Sequence, residues 1–284
     1  MIEHSASLFV DDFIFLEAPR WHKDRLWVSD VFDHKVYTLK IDGSREVVCE
    51  VPNRPSGLGF FPDGTPIIVS SKDRKILKLV DNKLLVLADL SQLATGAVND
   101  FAVDAIGRIY VGNFGYDYDA GEPARPTNLH MVQPDGTVSV AASGVEFPNG
   151  SVIKDGGTML LVAETWACRI RAFDIALDGG LSCQRVYADL GKRQPDGICL
   201  DAHGGLWVAC FNTGEFIRIL EGGDITDRVA LPGHAVSPGL GGDDGKTLFL
   251  CSYLGTTPEL VAGKRRAGIH TLRVDVPGAA FGKQ

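Results

Sequence analysis

The stretch "NDFAVDAIGRIYVGN", residues 99–113, reads as two short apolar strands joined by a glycine turn, the second ending in Gly-Asn. One such hairpin says little, but the pattern recurs. The other copies are "EAPRWHKDRLWVSD" (17–30), "SGLGFFPDGTPIIVSS" (56–71), "NGSVIKDGGTMLLVAE" (149–164), "DGICLDAHGGLWVAC" (196–210) and "PGLGGDDGKTLFLCS" (238–252). Their second strands align at Val28, Val69, Val111, Val162, Val208 and Leu250, at intervals of 41, 42, 51, 46 and 42 residues. Each interval holds two more strands, such as "KVYTLK" and "EVVCEV", or "KILKLV" and "LLVLAD", joined through Asp-Gly or Asp-Asn. Four short strands per 40–50 residues is the signature of a propeller blade. The expected fold is all-β: a single six-bladed β-propeller domain over residues 1–284 with four-stranded blades. After the sixth copy only "GIHTLRV" remains as a strand, so the N-terminal "SASLFV" (5–10) is expected to supply the outermost strand of blade 6 and close the ring.

Composition narrows the class. The 284 residues are 45% hydrophobic and 23% charged, with 33 glycines and 14 prolines, which suits many short elements and tight turns. Acidic residues outnumber basic ones, 36 to 28, for a formal charge of −8, which argues against a nucleic-acid or anionic-membrane surface. The basic cluster Lys264, Arg265 and Arg266 reads as a solvated turn. Six cysteines are scattered without a CxxC or Cys/His pattern, and Cys199 and Cys210 read as small buried residues. The N-terminus lacks the basic start and apolar core of a signal peptide, and no apolar run exceeds six residues. A soluble, cytoplasmic protein is expected, and the sequence leaves its oligomeric state open.

In a propeller with four strands a to d from channel to rim, the a-strand starts gather around the channel mouth. Those positions hold Glu17, Ser56, Asn99 with Asp100, Asn149, Asp196 and Ser237, each 11 to 13 residues before its aligned anchor. Most are turn-compatible residues, and each alone reads as a turn or cap. Glu17 does not, since it lies between "FIFL" and "AP". Two carboxylates and two carboxamides converging in a channel need a partner. An oxygen-only set selects a hard divalent cation, Ca²⁺ above Mg²⁺, whereas zinc favours His or Cys. Glu17 and Asp196 would balance its charge, and few protein ligands would leave positions open for water and substrate. Other divalent cations such as Mg²⁺, Mn²⁺ or Zn²⁺ remain alternatives.

The stretches "FLEAPRW", "AVNDFAVDAIGRIYVGN", "FPNGSVI" and "QPDGICLDAHGGLWVAC" resemble the senescence marker protein, gluconolactonase and luciferin-regenerating-enzyme family of regucalcin-like six-bladed propellers. The likeness covers nearly the whole chain. It implies a calcium-type metal site from Glu17, Asn149 and Asp196, with Asn99 beside it contacting substrate or metal-bound water, and hydrolytic activity, mostly on lactones. Sugar-lactonase members carry an Arg two residues before the Asn of their "ND" motif, where this chain has Ala97. The long interval after Val111 instead adds "FGYDYDAGEPARPT" (114–127), placed by the blade pattern on the metal face. Phe114, Tyr116 and Tyr118 from that loop, with Trp166 from the next blade, are candidate substrate contacts beside Asn99 and Asp100. An aromatic wall suits an aryl-bearing or less polar lactone or ester; the same rings would also serve simply to pack the loop.

No GxSxG, HExxH or Walker loop is present. His234 is the one histidine placed near the pocket, and Asp30, Asn113 and Glu164, which end b strands on the metal face, read equally as site neighbours or solvated rim. The leading expectation is a metal-dependent lactonase acting on a small-molecule lactone or ester, with Asp196 as catalytic base or nucleophile. An aryl esterase, a phosphotriesterase and a non-catalytic metal-binding propeller are the alternatives.

Overall fold

The computed structural model describes residues 1–279. Each of the six repeats folds into one antiparallel sheet, and the sheets are arranged as a six-bladed β-propeller. The a strands are Leu16–His22, Pro55–Phe60, Val98–Val103, Pro148–Lys154, Pro195–Leu200 and His234–Gly241, for blades 1 to 6. The repeat anchors Val28, Val69, Val111, Val162, Val208 and Leu250 are all fully buried. Six apolar clusters lie one at each junction between neighbouring blades, and the anchors fall in five of them, Val69 and Val111 sharing the cluster between blades 2 and 3. Leu161 and Ile170 of blade 4, for example, pack on Ile198 and Val208 of blade 5, while Leu16 and Val28 of blade 1 pack on Phe249 and Ile269 of blade 6. The core is therefore divided between blades, and no blade can bury its faces alone.

Closure follows the expected route. Ser7–Phe13 pairs antiparallel with Ala267–Arg273 as the outermost strand of blade 6, shifted slightly from the anticipated 5–10. The residues before it hold a surprise: Ile2–His4 runs parallel to Ile225–Ala230 as a fifth strand on blade 5. The N-terminus thus clasps two adjacent blades. Glu3 meets Arg228 at 3.0 Å, and His4 Nε2 lies 2.8 Å from Asp227 Oδ1. A short helix, Thr257–Val261, was also not anticipated; Thr256 and Glu259 cap it reciprocally.

Two local devices hold the a-strand starts. The first is a β-bulge or shift of register near the start of every a–b pair. It brackets the site residue in blades 2 to 5, at Pro55/Leu58, Val98/Phe101, Pro148/Ser151 and Pro195/Ile198, begins at Glu17 in blade 1, at Glu17/Arg20, and ends at Ser237 in blade 6, at Ala235/Ser237. A bulge breaks the alternation of side chains and re-aims one of them, here inside the ring. The second is a polar knot at the end of the b strands. Asp30 accepts from the backbone N–H groups of Ile14 and Phe15 at 2.9 Å each, and Glu164 accepts from Glu146 N at 2.8 Å while pairing with Arg171. Asn113 Oδ1 accepts from Gly115 N and the Thr127 hydroxyl. All three side chains are fully buried, so they tie the chain as it enters or leaves the channel and are not solvated rim.

Candidate functional site

A cavity of about 750 Å³ opens at the end of the channel where the a strands begin. Glu17, Ser56, Asn99, Asn149 and Asp196 all line it. Asn149-Gly150 is no turn, because it lies within a strand. Its glycine answers a steric need: a Cβ on Gly150 would sit 2.6 Å from Ile198 N and 2.7 Å from Asp196 O. Gly57 is similarly crowded, 2.8 Å from Asn99 O. At these two positions the a strands approach so closely around the axis that a side chain after the site residue has no room.

Blade 3 has Asp100 where blades 2, 4 and 5 have glycine. Asp100 is buried but is not among the cavity-lining residues; its two carboxylate oxygens accept from Arg20 Nη2 at 3.2 and 3.1 Å. The expectation of a direct substrate contact at Asp100 therefore has no support in its placement. Ser237 is likewise buried outside the cavity lining.

Hydrogen bonds fix the polarity of the two amides. Ser56 Oγ donates to Asn99 Oδ1 at 3.0 Å, which leaves the Asn99 NH₂ as the group offered to a ligand. Asn149 is turned the other way. Its Nδ2 donates to Thr165 Oγ1 at 3.3 Å, and that hydroxyl donates to Pro195 O at 2.8 Å, tying blade 4 to blade 5. Asn149 Oδ1 and Asp196 Oδ1 are buried and accept no hydrogen bond. Two orphaned acceptors on residues that line one cavity cost free energy unless a cation or donor satisfies them.

The charges agree with that requirement. The Glu17 carboxyl is held well above the ordinary carboxylate range by burial first and then by the nearby Asp196 and Asp100, with Arg20 opposing. Burial likewise raises Asp196 well above its usual value; the Asn149 amide opposes this and the charge of Asp100 adds to it. Among the described residues no three His, Cys, Asp or Glu side chains cluster as a metal site, so any cation here would rest on two carboxylates completed by the Asn149 amide oxygen. This all-oxygen donor set fits a hard divalent ion of the calcium type.

Above the polar floor the walls are aromatic. Phe114, Tyr116, Tyr118 and Trp166 all line the cavity. Trp166 Nε1 donates to the Tyr116 hydroxyl at 2.8 Å. At the centre of this wall stands Phe147, which the sequence did not single out. It stacks on Phe114 with centroids 4.4 Å apart and reaches Trp166 at 4.9 Å. Its φ of 52° bends the chain so that the ring faces the cavity while Asn149, two residues on, reaches the floor. The only sequence signal was an aromatic residue directly before Pro-Asn. Across the cavity, His234 stacks between Phe211 and Tyr253, its Nδ1 3.1 Å from Phe211 O.

The family model described as SMP-30/Gluconolactonase/LRE-like region matches residues 15–253. The chain belongs to this family. Among SMP-30/gluconolactonase-like relatives, regucalcin from Danio rerio is 34% identical over 178 residues, covering 60% of this chain and 59% of that protein, less than two thirds of its length. Regucalcin from Homo sapiens is 30% identical over 224 residues, covering 76% of this chain and 68% of the relative. In solved structures the fold matches a calcium-binding protein, regucalcin, from Agrobacterium tumefaciens with a TM-score of 0.82 at 20% identity, over 98% of this chain and 97% of that one. A gluconolactonase from Xanthomonas campestris matches with a TM-score of 0.77 at 20% identity, over 95% and 89%. At such identities these likenesses establish the fold of a family member, not its substrate. No helix among the described residues is long and apolar enough to cross a membrane.

Proposed function

We propose that this chain is a calcium-type, metal-dependent hydrolase that opens lactones. The observation that carries the proposal is the pair of orphaned oxygens, Asn149 Oδ1 and Asp196 Oδ1, on a cavity floor that also holds Glu17. Family membership supports it, since relatives of this fold are named gluconolactonase and calcium-binding protein. Glu17, Asn149 and Asp196 would hold the ion. When bound, the ion supplies a Lewis acid that polarises the carbonyl and balances the charge of the oxyanion.

The chain's own residues supply the rest. Asn99, with its oxygen held by Ser56, has its N–H donors free and would offer them to the developing oxyanion. Thr165 holds the Asn149 amide so that its oxygen stays turned inward. Asp196 takes a proton from water as the water oxygen adds to the lactone carbonyl carbon. The ring C–O bond then breaks, and the departing alkoxide recovers that proton to leave a hydroxy acid. A direct attack by Asp196 is the competing route, through a mixed anhydride that water then opens; label found in Asp196 after single-turnover hydrolysis in ¹⁸O-water would establish it, because general-base catalysis puts the label in the product alone.

The aromatic wall favours aryl lactones or aryl esters over small sugar lactones. Within the same proposal the protein is cytoplasmic: all six cysteines are free thiols, and burial pushes Cys49 up to about 11 and Cys210 up to about 12, which suits unreactive thiols in a reducing compartment. The direct test is proton release in a pH-stat on sugar, alkyl and aryl lactones, with Ca²⁺, with chelator, and with Asp196→Ala. Calcium-dependent turnover lost in Asp196→Ala supports the hydrolase. Tight calcium binding without turnover of any lactone or ester points instead to a binding propeller.

A further inference from the structure

The mouth of the cavity carries charges that the hydrolytic chemistry does not use. Arg54, Lys72 and Arg74, all from blade 2 and its connections, line it together with Asp119 from the 114–127 loop. Arg54 is held in place at several points. Its backbone has a left-handed φ of 68°, its N–H donates to Val51 O at 3.1 Å, and its carbonyl accepts from Ser71 N at 2.9 Å. The guanidinium lies 4.5 Å from the centroid of the Phe32 ring. Arg54 Nη1 then meets Asp119 Oδ2 at 2.9 Å, and Lys72 Nζ meets the same oxygen at 2.8 Å.

One carboxylate oxygen therefore serves two cations. It belongs to a loop residue whose side chain is 44% exposed, whereas Arg54 is 27% exposed. We propose that Arg54 and Lys72 form an anion subsite which Asp119 fills in the absence of ligand, and that the substrate is an aryl ester or lactone with a carboxylate remote from its scissile bond. The assignment of a substrate rests on the hydrolase reading; the anion subsite itself does not.

The physics favours exchange at this point. Replacing Asp119 by a ligand carboxylate gives up an ion pair to a 44%-exposed side chain, which contributes little, for one shielded by the bound aryl body, which contributes more, so displacement leaves a net gain. The cation is pre-set by its strained backbone and by the Phe32 ring, which lowers the ordering cost of binding. In a chain of formal charge −8, an anionic ligand needs such a local cationic guide. The aromatic wall of Phe114, Phe147 and Trp166 lines the same cavity, ready to take the aryl body, and about 750 Å³ is ample for it.

Phenyl acetate and 4-acetoxybenzoate serve as substrates for the test, and the isosteric pair 4-hydroxybenzamide and 4-hydroxybenzoate as ligands in titration calorimetry at low ionic strength. The wild-type protein should prefer the anionic member of each pair by ~10-fold, the size of one charge-assisted hydrogen bond. Arg54→Gln should remove most of that preference, Lys72→Gln part of it, and Arg54→Lys should restore some. Asp119→Asn should widen it by vacating the subsite, and Lys83→Gln, on the exposed outer strand of blade 2, should leave it unchanged. If neither ester is hydrolysed, the hydrolase reading falls while the calorimetric ratio still decides the subsite. A ratio near one in the wild type overturns the proposal, as does a preference that survives in both Arg54→Gln and Lys72→Gln.

Discussion

Thr165, which lines the cavity, carries much of the site although it is not one of the proposed ion ligands. It fixes the Asn149 amide by bonding its nitrogen, and it anchors itself on Pro195 O, one residue before Asp196. Thr165→Val keeps the shape and removes the hydroxyl. Calcium affinity should fall by ~10- to 100-fold, the range typical of partners that orient a metal ligand, with an unchanged circular dichroism spectrum; unaltered affinity in calorimetry would remove Thr165 from the site. Gly150 tests the packing of the channel. Since its added Cβ would meet backbone atoms of blade 5 that cannot swing aside, Gly150→Ala should cost about 3 kcal/mol in urea unfolding, at the upper end for overpacking. A cost below about 1 kcal/mol would return Gly150 to the role of an ordinary permissive glycine.

At the level of elements, the blade repeat and the approximate place of every a strand were legible, because the anchors sit in fully buried positions that tolerate only apolar residues. Where periodicity stops, legibility stops too. Phe147, Arg54 and Lys72 lie in connections between strands, where no alternation says which way a side chain faces. Asp30, Asn113 and Glu164 end b strands, where a polar residue serves a rim or a buried knot equally well, and only the backbone donors of the neighbouring chain decide. Asp100 follows a site residue and so looked like one, yet in the bulge its carboxylate turns to Arg20. The parallel strand Ile2–His4 depends on a partner more than two hundred residues away and has no local signature. Its energetic weight is testable. A chain starting at Ser5 loses three strand residues, the partly exposed Glu3–Arg228 pair and the His4–Asp227 contact, but keeps the closing strand Ser7–Phe13. It should lose only about 1–2 kcal/mol, since exposed ion pairs contribute little, which is a few degrees in melting temperature. A chain starting at Ile14 bares the edge of Ala267–Arg273 and should aggregate.

For the whole molecule, the ring gathers charges that the sequence scatters over nearly two hundred residues. Glu17, Asp100 and Asp196 face inward with Arg20 as their counter-charge, and Arg20 is already bound to Asp100. Glu17 and Asp196 therefore remain unpaired, and the ring must satisfy them with protons or with a cation. Because burial raises both carboxyls well above their ordinary values, the cation-free protein binds more protons at this site than its unfolded chain does. The sign of the linkage follows: their contribution to stability is full below the unfolded values near 4 and is lost as pH rises through the raised folded values. Calcium has to displace those protons, so its affinity rises with pH across the same window, by up to ~100-fold per pH unit while two protons leave per ion. The gain in melting temperature on adding Ca²⁺ should accordingly be small at pH 5 and large at pH 8, with the cation-free protein melting lower as pH rises. Differential scanning calorimetry with and without chelator at both values measures this, and an equal gain at pH 5 and pH 8 would mean that the ion, if it binds, does not rest on Glu17 and Asp196.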